Sequence, residues 1–236
     1  MNAVTSPRRV ARMAGVFQFL EALTATYGQV LVFGGLIVSG NAAATAANIL
    51  GHQRLFWLGF ASSIIGIVCH LVWALLIYEL FKPVSRRISL FALLVIVVGC
   101  AIQALTVVFY LAPMLVLHSG NSLAALSSDQ LHALAYVFIR LNGYTFNTYL
   151  VFFGLWCFLI GTLIFRSTFM PRILGVLLCI SGIGWMMYLV PPVAMPLFMP
   201  YLAGASAIGE LPLLFWMLVM AVNAEKWHAQ AAASAD

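Results

Sequence analysis

The chain has 236 residues, of which 64% are hydrophobic and only 7% are charged, and its mean hydropathy is +1.07. About a quarter of the residues in an average soluble domain are charged, so this composition excludes a soluble globular protein and indicates a polytopic membrane protein. The net charge of +5 is explained by basic residues beside apolar segments and gives no support to nucleic-acid binding.

Six apolar segments are long enough to cross a bilayer, which takes about 20 residues of helix. They run over 14–38, 55–81, 88–114, 133–165, 173–190 and 203–224. The connections between them are too short for a soluble domain. The sequence therefore predicts an all-α bundle of six transmembrane helices that forms a single domain over 1–236.

The basic residues predict how the bundle is oriented. With the N-terminus in the cytoplasm, nine of the eleven Lys and Arg lie on the cytoplasmic side, and only Arg54 and Arg140 lie outside. This is a strong positive-inside bias for loops this short. We expect both termini in the cytoplasm, with membrane lipids as the surrounding partners.

The three connections predicted on the outer side differ in composition. The first, 41–54, is rich in alanine and predicts a short interfacial helix. In the second, Ser127 and Gln130 have the spacing of a capping box that opens the fourth helix. The third, 191–200, holds four prolines among apolar residues, so it is predicted to lie in the interface or to fold over the bundle as a lid.

Two glutamates, Glu21 and Glu210, lie inside the first and last segments of a chain that has only six carboxylates. An ionisable side chain in hydrocarbon is costly, so each is a functional-site hypothesis. Glu21 shares a helical stripe with Gln18 and small residues and is predicted to face the bundle. The structural alternative is a protonated glutamate that bonds to a carbonyl or to Gln18.

Other polar side chains are predicted to face the same interior. They are His70 in the second segment, Gln103 in the third and Asn147 in the fourth. From the helical rise, Glu21, His70 and Glu210 lie about 13, 18 and 24 Å above the inner boundary. Such steps are typical of a ligand or proton path through the membrane. The alternative for His70 is a histidine buried by packing alone.

Glu210 carries the stronger functional hypothesis of the two carboxylates. It follows Gly209 and precedes Pro212, so the local backbone is expected to bend. Its predicted cationic partner is Arg140, near the outer end of the fourth helix. The alternative role of Arg140 is an interfacial anchor.

No pattern in the chain indicates catalysis, a metal or a cofactor. The sequence lacks His-Glu-x-x-His, Gly-x-Ser-x-Gly and a paired aspartate, its five histidines are scattered, and its four cysteines form no Cys-x-x-Cys pair. We therefore expect no catalytic residue, metal or cofactor. An intramembrane enzyme, or a haem-binding redox protein with His70 as an axial ligand, stays an alternative.

A set of short motifs, in this order and spacing, resembles one bacterial multi-pass membrane family, catalogued as domain of unknown function 4386. The motifs are Arg12-x-Ala14-Gly15, Asn48-Ile49-Leu50, Tyr78-x-Leu80-x-Lys82-Pro83-Val84-x-Arg86, Phe153-Gly154-Leu155-x-Cys157, Pro171-Arg172-Ile173-Leu174-Gly175-Val176-Leu177, and Gly209-Glu210-Leu211 followed by Trp216. The resemblance implies a bacterial inner-membrane location and supplies no activity, substrate or cofactor.

The polar groups inside the bundle favour one function over the others. We expect an integral membrane protein that binds or translocates a small molecule, a lipid headgroup or a proton through a polar interior. An accessory or scaffold subunit of a larger membrane complex is the main alternative. Such a subunit would have a protein partner within the membrane.

Overall fold

The computed structural model describes residues 6–190 and 203–234, and these residues contain α-helices and no β-strand. The helices are α1 (Pro7–Ala25), α2 (Ala42–Gly51), α3 (Gln53–Phe81), α4 (Arg86–Leu117), α5 (Ser128–Arg166), α6 (Arg172–Met186), α7 (Ala203–Val219) and α8 (Ala224–Ala233). Short 3-10 turns lie at Gly120–Leu123 and Met187–Leu189. The predicted all-α architecture is confirmed.

Five helices are long and apolar enough to cross a membrane. They cover Pro7–Gly34, Gln53–Phe81, Arg86–Leu117, Ser128–Arg166 and Arg172–Leu189. The sixth, α7, has 17 residues and reaches the lower limit for a spanning helix, which is about 17 residues. A bend of 103° separates α7 from α8, so the helix of the sixth apolar segment ends at Val219 and not at the predicted residue 224.

The first spanning helix changes its winding near its end. After α1 the chain continues as a π-helix over Thr26–Gly34, where we expected an ordinary helix. Gly28 is needed in this stretch, because a Cβ there would overlap Ser63 Oγ and lie 2.6 Å from the Gly59 carbonyl. No local propensity in these residues predicts the wider winding, and the close contact of Gly28 with α3 is a tertiary feature.

Two of the predicted connections are confirmed, and the third cannot be described. Helix α2 forms the short helix expected in the first connection, and Asn41 Oδ1 caps it by accepting from the Ala44 amide at 2.9 Å. Ser127 N donates to Gln130 Oε1 at 2.8 Å and Gln130 N donates to Ser127 Oγ at 3.3 Å, which completes the capping box. The predicted lid, 191–200, lies outside the described residues.

The chain forms two compact units. Unit 1 contains Met1–Phe19, Cys69–Cys100 and Thr148–Asp236, and unit 2 contains Leu20–Val68 and Ala101–Asn147. The core of unit 2 is made of aromatic and aliphatic side chains: Val32, Phe33, Leu36, Ile49, Phe56, Tyr110, Met114 and Ile139. Of the eleven Lys and Arg, the nine predicted to face the cytoplasm all belong to unit 1.

Glycines set the contact between α5 and α6 within unit 1. A Cβ on Gly154 would lie 2.6 Å from the Gly182 carbonyl, and a Cβ on Gly161 would lie 2.7 Å from the Gly175 carbonyl. Both distances are well inside van der Waals contact. The two backbones therefore approach as closely as helices in membranes do where small residues face each other.

Helix α8 is hydrogen-bonded to two other parts of unit 1. Trp227 Nε1 donates to the Leu80 carbonyl at the end of α3, at 2.8 Å. Gln230 Oε1 accepts from both the amide and the hydroxyl of Thr168, at 3.0 and 3.1 Å. The C-terminal helix thus contacts the end of α3 and the turn between α5 and α6.

Candidate functional site

The candidate site is built around the carboxylate of Glu210 on α7. Its Oε1 atom accepts a hydrogen bond from Ser181 Oγ at 2.9 Å and another from Trp185 Nε1 at 2.6 Å. Ser181 and Trp185 are four residues apart on α6, so they project from the same face of that helix. Two donors on one carboxylate oxygen fix the side chain in place between the two helices.

Gly209 allows α7 to come close enough for these bonds. A Cβ at this position would lie 2.5 Å from Ser181 Cβ and 2.6 Å from the Leu177 carbonyl. Glycine is therefore the residue that brings the backbone of α7 against α6 one position before the carboxylate. Pro212 lies inside α7, and the bend expected beside Glu210 stays a prediction.

A third helix contributes Gln18 of α1. Its Nε2 atom donates to the main-chain carbonyl of Glu210 at 3.4 Å, and the side chain is only 5% exposed. Its Oε1 atom has no hydrogen-bond partner among the described residues. A buried amide oxygen of this kind is costly unless a water or a ligand bonds to it.

An aromatic cluster joins Glu210 to His70 within unit 1. The Trp185 ring lies 6.1 Å from Phe153, and Phe153 lies 5.7 Å from the fully buried ring of His70. His70 Nδ1 is 3.3 Å from the Tyr149 hydroxyl. His70 is thus connected through Phe153 to Trp185, which bonds to Glu210, and a ligand or proton path through His70 stays a prediction.

The remaining predicted site residues belong to unit 2. Glu21 and Asn147 are half-buried, whereas Gln103 is 5% exposed and its Oε1 atom has no hydrogen-bond partner in the described part of the chain. Arg140 is exposed and donates from Nη2 to the Tyr144 hydroxyl at 3.0 Å. That contact lies one helical turn along α5. The pairing of Arg140 with Glu210 and the path from Glu21 to Glu210 stay predictions.

Sequence reasoning missed the two residues that hold the carboxylate. Ser181 and Trp185 occupy positions i and i+4 on α6, and this spacing was the available signal for a shared polar face. A third missed residue, Asn142, is 4% exposed and donates from Nδ2 to the Thr106 carbonyl at 2.8 Å in unit 2. Ser181 and Asn142 were missed because a short polar residue can face any side of an apolar helix, and Trp185 was missed because its indole is as consistent with apolar packing as with hydrogen bonding.

The chemistry open to the site follows from its side chains. A carboxylate held by hydroxyl and indole donors can bind a proton or a positively charged group. Among the described residues no group of three His, Cys, Asp or Glu side chains is placed to hold a metal ion. Trp73, Tyr149, Phe153 and Trp156 surround the His70 ring at 5.1 to 6.2 Å, so a haem ligated by His70 would have to displace them.

These helices and this carboxylate define a multi-pass α-helical membrane protein with a hydrogen-bonded acidic group in one of its helix contacts. The chain belongs to the family described as domain of unknown function (DUF4386), whose profile matches residues 13–221. The resemblance carried by the motifs is thereby confirmed, and Glu210 lies inside the matched range. A comparison with curated proteins and one with solved structures gave no match.

Proposed function

We propose that this is a multi-pass protein of the bacterial inner membrane that binds a proton or a small positively charged molecule at Glu210 and translocates it. The observation that carries the proposal is the pair of hydrogen bonds from Ser181 and Trp185 to Glu210 Oε1. They keep an acidic side chain at a defined position within apolar helices. Such a group is a recurring element of ion and proton pathways in membranes.

Packing alone does not account for a carboxylate at this position. A glutamine would offer the same Oε1 acceptor to Ser181 and Trp185 without carrying a charge into the bundle. The acid adds only the capacity to lose and regain a proton, or to neutralise a cation. The buried amide oxygen of Gln18, on the helix that contacts the Glu210 carbonyl, adds a second acceptor for a ligand or water.

The proposed location and orientation rest on charge. Nine of the eleven Lys and Arg lie before the first apolar segment, after the last one, or in the two turns that an N-terminus in the cytoplasm places inside. Clustering of Lys and Arg on one side is the pattern of cytoplasmic loops. We therefore place both termini in the cytoplasm.

The test uses Glu210→Gln, which keeps the acceptor and removes the titrating group. Trp185 donates directly to the carboxylate, so the tryptophan emission of the purified protein in lipid nanodiscs reports on its protonation. We expect the emission of the wild type to change with pH and the Glu210→Gln emission to lack that change. Glu79→Gln is the matched control, because Glu79 is an exposed glutamate paired with Lys82.

Proteoliposomes then separate binding from translocation. With a pH-sensitive dye inside the vesicles, we expect proton entry driven by a membrane potential in the wild type and in Glu79→Gln, and none above empty vesicles in Glu210→Gln. Identical pH responses and identical fluxes in all three proteins would contradict the proposal. The scaffold role would then be preferred, because it makes no use of the charge.

A further inference from the structure

A groove of about 470 Å³ runs along the contact between α5 and α6 in unit 1. Its α5 wall is formed by Thr162, Phe165 and Arg166, and its α6 wall by Gly175, Val176, Cys179, Ile180 and Ile183. The volume lies within the range of about 300–1,000 Å³ that small-molecule sites occupy. The groove is separate from the Glu210 site, whose side chains do not line it.

The walls of the groove are apolar and open to the surroundings of the helices. Phe165, Val176, Ile180 and Ile183 are 40 to 53% exposed. The α6 wall extends over the nine residues from Gly175 to Ile183, or about 12 Å of helix. In a helix that spans a membrane, such a surface contacts lipid chains.

One end of the groove carries positive charge. Arg166, the last residue of α5, lines it, and the guanidinium of Arg172 lies 5.7 Å from the centre of the Phe165 ring. Both arginines are exposed, and the described residues show no acidic side chain within ion-pair distance of either. A charged end that continues into an apolar channel matches a ligand with an anionic head and a hydrocarbon tail.

We propose that this groove is a binding site for one anionic phospholipid, with its phosphate on Arg166 and Arg172 and an acyl chain along α6. Arginine bonds phosphate oxygens well because its planar donors match their geometry. Basic pockets between transmembrane helices near the cytoplasmic surface are a known kind of headgroup site. A soluble phosphate would use the arginines but would leave the apolar channel without a role.

Native mass spectrometry of the detergent-purified protein tests the site. The protein is mixed with equal amounts of phosphatidylglycerol and phosphatidylcholine that carry the same acyl chains. We expect the wild type to retain phosphatidylglycerol preferentially and Arg166→Gln/Arg172→Gln to lose that preference, by about fivefold for each arginine removed. Arg8→Gln/Arg9→Gln is the charge-matched control and is expected to behave as wild type.

A second pair of variants tests the apolar channel. Ile180→Trp fills the groove and leaves both arginines in place, so we expect weaker retention of phosphatidylglycerol. Ile173→Trp is the control, because Ile173 is 59% exposed on the same helix and does not line the groove. If Ile180→Trp retained as much phosphatidylglycerol as the wild type, no acyl chain would lie in the channel, and the lipid site would be overturned.

Inorganic phosphate separates the two sources of the same anionic group. For a lipid site, a millimolar excess of inorganic phosphate should leave phosphatidylglycerol bound. Displacement of the lipid by free phosphate would show that the arginines select a soluble anion, which contradicts the proposal. Equal retention of both phospholipids by the wild type and the double arginine variant would contradict it as well.

Discussion

Glu210 combines two roles that substitutions can separate. Its Oε1 atom is a structural acceptor for Ser181 and Trp185, and its carboxylic acid is the group proposed to bind the ligand. Glutamine retains the first role and loses the second, whereas leucine loses both. Stability and ligand response should therefore change independently at this residue.

We predict that Glu210→Leu destabilises the protein and that Glu210→Gln does not. Leucine removes the acceptor used by a hydroxyl and an indole in a part-buried contact, which costs about 1–3 kcal/mol of unfolding free energy. Glutamine has nearly the same shape and keeps the acceptor. Thermal unfolding in one detergent, followed by circular dichroism, compares the two. Equal midpoints for both variants would show that the hydrogen bonds add little.

The sequence predicted Glu210 because charge is rare in this chain, and it did not predict the residues that hold it. A glutamate stands out among six carboxylates, and its cost in hydrocarbon applies wherever the helix lies. Ser181 and Trp185 have no such cost, since serine and tryptophan are common in membrane helices. Their role depends on which face of α6 meets α7, and that is decided by tertiary packing.

At the scale of the helices, small residues decide which elements touch. The contact of α5 with α6 uses Gly154 against Gly182 and Gly161 against Gly175, with each backbone carbonyl facing a glycine. No hydrophobic force distinguishes one helix from another in lipid, so close van der Waals packing selects the partner. Gly143, on the same helix, has no atom within 4 Å of the position a Cβ would take.

We predict opposite effects for two alanine substitutions on α5. Gly154→Ala places a methyl group 2.6 Å from the Gly182 carbonyl and 2.8 Å from the Met186 amide, so the helices must separate, at about 1–3 kcal/mol. Gly143→Ala meets open space and gains helix propensity, which is worth about 1 kcal/mol. Thermal unfolding of both variants in the same detergent measures the difference. A Gly154→Ala protein as stable as Gly143→Ala would contradict the packing argument.

For the whole molecule, hydropathy determined most of what could be predicted. The long apolar segments appear as helices because no other open structure satisfies its own backbone in lipid. The 103° turn after α7 was not predicted. Ala221 lies in this turn with a φ of 57°, a conformation that alanine rarely adopts. Composition and hydropathy therefore do not indicate a turn there. The hydrogen bonds that Trp227 and Gln230 of α8 make with the rest of unit 1 were not predicted from the sequence either.

The contacts of α8 bear on how many times the chain crosses the membrane. Helix α6 begins at Arg172, next to the turn that holds Thr168, and α8 returns to bond with Thr168 and with the Leu80 carbonyl. The chain therefore leaves this end of unit 1 along α6 and comes back to it before α8. If α6 crosses the membrane, α7 has to cross back, although it has only 17 residues.

We predict that the C-terminus lies in the cytoplasm, on the same side as the turns at Lys82 and Arg166. A green fluorescent protein fused after residue 236 should fluoresce in bacterial cells, and alkaline phosphatase fused there should be inactive, because it matures only in the periplasm. Alkaline phosphatase inserted in the connection between α4 and α5, at Ser119, should be active and serves as the matched control. The opposite pair of signals at the C-terminus would mean that α7 does not cross, and the chain would then have five spans.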